Sequence, residues 1–406
     1  MKILICSANY APELTGIGKY SGEMAEWLAA RGHEVRVVAA PPYYPAWQVA
    51  EAYRGRPFMR EHVRGVRVWR APIWVPQRAG GFARVLHLVS FGLSAAPLMM
   101  WWALWWRPAV CFSTAPFLSG APAVLLASAL GRSRSWLHVQ DFEVDVAFNM
   151  GLLKGGRLKQ TVLALEQFIF RRFDRVSSIS QKMVRRLSEK GVSGERQRFF
   201  RNWVDVDAIQ PLKAPSGFRS ELGLPNDAVV ALFSGTLGAK QGLQLIPQAA
   251  RLLAAESRLH FVICGDGATK VDLQGQGEGL SNLHFLPLQP LERLGELLGM
   301  ADMHLLTQDV AAEDLVLPSK LSGMLASGRP VIATCAPGTE LAQVLQSCGT
   351  VVAPGDAQAF ADAIRTLARD PEQRRRWGVA ARHTAVQTLG REQVLAAFEG
   401  ELLGLV

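Results

Sequence analysis

The sequence predicts an α/β protein built from two doubly wound domains, and three observations carry that reading. Short apolar runs alternate with amphipathic helical stretches, which is the rhythm of a mostly parallel sheet. That rhythm pauses around Pro211 to Gly217 and restarts at Ala228. The 406 residues exceed what one hydrophobic core usually supports, which leaves about 200 for each domain. The expected divisions are 1–210, 211–385 and a closing helix, 386–406, that packs back on the first domain, with a ligand cleft between the two domains.

The first forty residues supply the first strand, loop, helix and second strand. Lys2 to Ser7 is an apolar run suited to the centre of a parallel sheet. Asn9 to Glu13 then lead to Gly16 and Gly18, whose missing side chains allow close approach to a ligand and positive φ. A helix is expected from near Tyr20, with Met24, Ala25, Trp27, Leu28 and Ala29 as its packing stripe and Gly32 as its stop before the strand Val35 to Ala39. A phosphate at that helix start would gain amide donors and the positive end of the dipole. A dinucleotide site would instead ask for a tight G-x-G-x-x-G after the first strand and an acid ending the second. Gly16, Gly18 and Gly22 are spread over a longer stretch, and the second strand runs into Ala39, Ala40, Pro41 and Pro42, so NAD is disfavoured. A purely structural glycine turn stays open.

Further strands follow at Val66 to Arg70, Val110 to Ser113, Trp136 to Val139 and Arg175 to Ile179, and Phe199 to Asp205 reads as a strand running into a turn. In the second domain they fall at Val229 to Ser234, His260 to Cys264, Leu283 to Leu286, Met303 to Leu306, Val331 to Thr334 and Thr350 to Val352, with helices from Pro371 to Leu405. Val85 to Trp106 carries no Asp, Glu, Lys or Arg and is long enough to span a bilayer. Three readings compete for it: a crossover helix between strands, an in-plane interfacial helix flanked by Arg84 and Arg107, or a true span.

The formal charge of +9 suits nucleic acid, anionic lipid or phosphorylated substrates. Its basic residues are scattered, recurring at Arg171, Arg172, Arg175, Lys182, Arg185 and Arg186, and no nucleic-acid module stands out, so no nucleic-acid partner is expected. Beside an apolar surface segment they would suit the cytoplasmic face of a membrane. The five cysteines form no C-x-x-C pair and read as reduced, buried thiols of a cytosolic protein. The opening apolar run lacks the proportions of a signal peptide and reads as the first strand.

Two segments of the second domain carry chemistry. Ser234 to Gly242 is a strand end and a glycine-containing loop with Lys240 at a helix entrance, donors and charge that would suit a diphosphate. Leu315 to Lys320 ends at Ser319, a cap or early helix residue, and Lys320, ahead of a short helix that stops before Gly328. Glu313 and Asp314 stand just upstream, where a carboxylate could bind sugar hydroxyls.

In their order these residues resemble the GT-B glycosyltransferases, two Rossmann-like domains facing a cleft, and within them the retaining family 4 group. The parts that carry the resemblance are Tyr10 to Gly18, Gly32 to Val35, Asn202 to Asp205, Ser234 to Gly242, Gly265 to Gly267, Pro318 to Lys320 and Ala326 to Val331. Val139 to Asp145 and Leu315 to Leu321 look most like the fucosyltransferase group assigned to colanic-acid-type exopolysaccharide assembly. The resemblance implies a retaining, metal-independent transfer of a sugar from a GDP- or UDP-linked donor, best guessed as GDP-fucose, to a lipid-linked oligosaccharide, with no cofactor. It places the enzyme in the cytoplasm, peripheral at the inner face of the membrane. Its implied catalytic residues are Asp141, Lys240 and Glu313. Its implied donor contacts are Gly16, Gly18, Gly235, Lys240, Gly265, Asp314, Leu317, Ser319 and Lys320. The family's two glutamates would fall at Leu315 and Gly323, where this chain has none, and its His-Asp pair appears as Gln140-Asp141 with His138 two residues earlier. A sugar-nucleotide epimerase and a non-catalytic subunit of a glycan-assembly complex are the alternatives.

Overall fold

A computed structural model describes the chain except residues 14–15, 45, 77–80, 116–117, 143, 145–155, 239–240 and 310–316, and the side chains at 81–82, 84 and 156–158. Two compact units result, Met1–Arg201 with Leu395–Val406, and Asn202–Val394.

The first unit holds one sheet of β1 (Lys2–Ser7), β2 (Glu34–Ala39), β3 (Met59–Val63), β4 (Val66–Arg70), β5 (Val110–Ala115), β6 (Arg134–Val139), β7 (Arg175–Ser178) and β8 (Gln197–Phe199). Their order is β3-β4-β2-β1-β5-β6-β7-β8. Every residue of β5 is buried, as in parallel sheets covered on both faces. Only β3 runs antiparallel, paired with β4 through a tight turn in which Arg64 and Gly65 have φ of 46° and 82°. The sequence reading misses β3 because Met-Arg-Glu-His-Val has no apolar run; charge is tolerated at an open sheet edge.

Helix α1 (Gly16–Ala30) begins at Gly16, a turn earlier than the expected start near Tyr20. Helix α2 (Gly81–Trp105) joins β4 to β5 and packs on α3 (Ala121–Gly131). His87, Phe91, Ala95, Met99 and Ala103, four apart, form its buried stripe. A Cβ on Gly92 would lie 2.7 Å from the Ser119 carbonyl oxygen, so only glycine allows this approach. The apolar segment is therefore a crossover helix, and a helix tied into one sheet at both ends cannot also cross a bilayer while the sheet persists. Its outer face is apolar too, with Leu93 72% and Trp105 73% exposed.

The last twelve residues group with this unit through Phe398, stacked on Phe200 at 4.1 Å and set edge-on to Trp136 at 5.1 Å. Glu399 accepts a hydrogen bond from Arg31 at 3.0 Å and meets His33 Nε2 at 2.7 Å.

The second unit holds β9 (Val229–Ser234), β10 (Leu259–Cys264), β11 (Leu283–Leu286), β12 (Met303–Leu306), β13 (Val331–Thr334) and β14 (Gly349–Val352), all parallel, in the order β11-β10-β9-β12-β13-β14. Residues 202–210 belong here, not to the first domain as the sequence division at 210 had them. Val204 bridges to Gly390, Asp205 pairs with Arg391 at 2.9 Å, and Val204 and Ile209 enter the core with Leu298, Leu321 and Leu325. The expected terminal helices are Pro371–Thr384 and Arg391–Leu403, separated by a π-helical turn over Ala385–Leu389. None of the five cysteines is in a disulfide, and all are buried.

Candidate active site

Each sheet grows outward in both directions from a central pair. In the first unit the order reverses between β1 and β5, and in the second between β9 and β12. Carboxyl ends of strands at such a reversal open a crevice, because the connections leave in opposite directions.

In the second unit the residues past β9 and β10 are backbone against backbone. Gly235 has φ of 138° and Gly265 of 153°, and a Cβ on Gly265 would collide with the carbonyl oxygen of Gly235. Gly235 N donates to Cys264 O at 3.0 Å and Leu237 N to Asp266 O at 2.8 Å, which zips the two loops together. The expected donor contacts Gly235 and Gly265 are thus brought into one site, with Gly265 there for close approach between loops.

Lys320 opens the short helix Lys320–Ala326. Its Nζ lies 4.0 Å over the Phe233 ring and donates to Gln241 Oε1 at 2.8 Å. Burial lowers its pKa to about 7, since the charged form loses hydration there. Ser319 occupies the cap position but makes no side-chain cap hydrogen bond and is exposed, which leaves its hydroxyl toward solvent. Leu317 is half-buried and packs on the core that holds Leu321 and Leu325. Lys240, Glu313 and Asp314 lie outside the described residues. At Gly323 a Cβ would point at Leu298 Cδ1, 3.2 Å away, and at Ile209 Cδ1, 3.7 Å away, so a glutamate here would enter apolar side chains. The sequence reading passes over Gln241 and Phe233 as site residues, and only the position of Lys320 reveals them.

In the first unit Gly16 has φ of 56° and faces open space, which fits the expected approach of a ligand. Gly18 has different surroundings. It lies inside α1 without positive φ, and a Cβ there would come within 2.6 Å of Glu13 Cβ. Gly22 meets Ala11 in the same way, at 2.7 Å. Both glycines let α1 pack onto the residues that precede it.

Glu13 is buried and holds this corner together. Its Oε1 accepts from Tyr43 N and Tyr44 N at 3.0 Å each, and its Oε2 accepts from Asn9 Nδ2 at 2.9 Å. Burial pushes its pKa up in spite of those donors. Arg70, 2% exposed, donates to Ala40 O, to Ala11 O and to Glu61 Oε2, and lies over the rings of Tyr10 and Tyr53. Neither residue was singled out from sequence, because several of their partners, Tyr43 and Tyr44 for Glu13 and Ala40 and Ala11 for Arg70, come from segments thirty or more positions away.

Asp141 is exposed just past the carboxyl end of β6, next to Gln140, whose N–H bonds Ala115 O at 2.9 Å. His138 does not reach that surface. It is buried against Phe112 and Phe200, its Nδ1 lies 2.9 Å from Ser177 Oγ, and burial lowers its pKa to about 3, so it is a neutral core residue.

Residues 15–203 match the model of the glycosyl transferase 4-like domain, and residues 217–384 that of the glycosyl transferases group 1. WcaI of Escherichia coli (strain K12), a glycosyl transferase named for colanic acid biosynthesis, is 41% identical over 415 residues, covering all of both chains. The chain is a group 1 glycosyltransferase. A D-inositol 3-phosphate glycosyltransferase of Catenulispora acidiphila is 26% identical over 381 residues, covering 88% of this glycosyltransferase and 83% of that protein. Two solved structures share the fold at low identity. Sucrose-phosphate synthase from Thermosynechococcus elongatus superposes with a TM-score of 0.73 at 16% identity, covering 100% of this chain and 98% of that one. Anabaena HepE, solved with UDP, superposes at 0.72 with 18% identity and full coverage of both chains. The fold of the glycosyltransferase is GT-B, as the sequence resemblance implied.

Proposed function

We propose that this glycosyltransferase moves a sugar from a nucleoside diphosphate donor, GDP-fucose as the best single candidate, to a lipid-linked oligosaccharide of exopolysaccharide assembly, with retention of anomeric configuration. The observation that carries the donor half is Lys320. Its ammonium group stands over Gly235 at the reversal between β9 and β12, where amides and a cation suit a diphosphate. A leaving diphosphate gains negative charge as the glycosidic bond breaks, and Lys320, together with Lys240, would stabilise it without a metal. In a retaining transfer the acceptor hydroxyl attacks on the face from which the nucleotide leaves, and the leaving phosphate takes its proton. Asp141 would orient that hydroxyl, with Glu313 and Asp314 on the donor sugar. The exopolysaccharide context is supported by the full-length likeness to WcaI. A nucleotide-sugar donor is in keeping with the UDP-glucose bound to HepE.

The acceptor's lipid end would bring the protein to the inner face of the membrane. Helices α2, α3 and Gly156–Phe170 each join strands laid down in the same direction across the sheet, so right-handed crossovers put them on one face. That face exposes Leu93, Trp101, Leu104 and Trp105, then Leu126 and Leu130, then Leu165 and Phe168, with exposed Arg171 and Arg172 following. An apolar face edged by arginines suits attachment in the plane of an anionic bilayer.

The test is thermal stabilisation across GDP, UDP, ADP and dTDP at matched concentrations. A selective rise with GDP supports the donor assignment, and no rise with any of them overturns it. Asp141→Asn should keep that rise while lowering transfer.

A further inference from the structure

An aromatic group that the donor chemistry does not use gathers at the carboxyl edge of the first sheet. Tyr43 and Trp47, past the end of β2, have ring centroids 5.9 Å apart, and His87 of α2 lies 5.0 Å from Tyr43 and 5.4 Å from Trp47. His87 Nδ1 donates to Trp74 O at 2.6 Å, and Trp74 N donates to Ser90 Oγ at 2.9 Å, which ties the chain past β4 to the same corner. Tyr43 and His87 are buried and form the floor. Tyr44, next in the chain to Tyr43, and Trp74, whose backbone meets His87 and Ser90, are 43% and 45% exposed.

Packing alone does not account for this arrangement. Trp47 has φ of 52°, a strained conformation for a bulky residue, and it is still half-exposed. Tyr44 and Trp74, carried by the segments that meet at this corner, add exposed aromatic surface. Polar groups border the rings: Tyr43 OH donates to Asn9 Oδ1 at 3.4 Å, and Asn9 in turn bonds Glu13. Flat apolar faces rimmed by amide and hydroxyl groups match a sugar ring, which offers C–H faces and equatorial hydroxyls. The tryptophans of the membrane face lie away from this corner. Trp101 and Trp105 lie fourteen or more residues further along α2 than His87, about 20 Å at 1.5 Å per residue.

We propose that Tyr43, Tyr44, Trp47, Trp74 and His87 form a subsite for a sugar ring of the acceptor glycan, away from the sugar that reacts. The distance follows from the sheet. Asp141 stands past β6, and β2, β1, β5 and β6 are consecutive neighbours, so at roughly 4.8 Å per strand the aromatic group is about 14 Å or more from Asp141. That exceeds one pyranose unit, so the acceptor that fills both positions has more than one sugar. This inference rests on the transferase reading above, with Asp141 on the acceptor side.

Lactose and cellobiose, lipid-free disaccharides, are the probes, followed by saturation-transfer NMR on the full chain. Wild type should transfer saturation to at least one of them. Tyr44→Ala and Trp74→Ala, both at exposed positions, should weaken that binding at least tenfold, and Trp47→Phe should retain more of it than Trp47→Ala. Thermal stabilisation by GDP should be the same in all variants. No transfer from wild type to either sugar, or transfer unchanged in Tyr44→Ala and Trp74→Ala, overturns the subsite. Loss of the GDP response in wild type would overturn the donor reading instead, so the two failures are distinct.

Discussion

Lys320 covers the space that Gly235 leaves empty: a Cβ on Gly235 would lie 3.6 Å from Lys320 Cδ and 3.8 Å from its Nζ. The lysine sits in a corner of apolar ring and glycine backbone, which explains both its lowered pKa and its fitness to meet an anion there. Anion binding would restore the charge that burial opposes.

That relationship makes donor binding depend on pH. With its pKa near 7, Lys320 is largely neutral above that pH in the empty protein, whereas a bound diphosphate favours the ammonium form. Binding above pH 7 should therefore take up a proton, and diphosphate affinity should fall by up to about tenfold per pH unit from there. Calorimetry in buffers of different ionisation enthalpy measures the uptake. The stability of the empty protein has the opposite slope: between pH 7 and about 10 the unfolded chain binds more protons at this lysine than the folded one, so this contribution rises with pH.

Gly265 and Gly16 should separate in a thermal melt. Gly265→Ala forces a side chain into the carbonyl of Gly235 and should cost about 2–4 kcal/mol. Gly16→Ala meets open space and carries only the strain of φ 56°, about 1 kcal/mol. Equal losses in the two variants would contradict the packing described.

Removing the Glu13 carboxylate should loosen the corner where α1 begins. Glu13→Ala strands the N–H groups of Tyr43 and Tyr44, and about 2–4 kcal/mol should be lost. Glu13→Gln keeps an acceptor oxygen for those amides and should lose less than half as much. Urea unfolding of the pair reads the difference as a shift in midpoint at constant slope.

The apolar outer face is tested by charge. Trp101→Glu with Trp105→Glu should lower co-sedimentation with anionic vesicles severalfold, while the fold stays intact because both rings are exposed. Unchanged sedimentation would remove this face from the membrane proposal.

The strands were legible because buried parallel strands are largely apolar: β1, β9, β12 and β13 run from the residue to the residue expected. β3 was hidden by its edge position, which tolerates charge. The glycines of the first loop were visible, but not what each does. Only Gly16 takes a conformation that glycine favours, while Gly18 and Gly22 are explained by Glu13 and Ala11, contacts that form when the helix folds back on its own approach. His138 stands three residues before Asp141, yet it lies within β6 and enters the core, whereas Asp141 lies past the strand's end and is exposed. Tyr43 and Trp47 are neighbours four residues apart, but His87 lies forty residues further on, and the crossover of α2 brings it to them.

Equilibrium titration of GDP into wild type and Lys320→Ala at pH 6.5 tests the central claim most directly. The account predicts that wild type binds and that the variant binds at least about 30-fold more weakly, near 2 kcal/mol, as loss of a charged hydrogen-bonding partner entails. Equal affinity in the two proteins would contradict it.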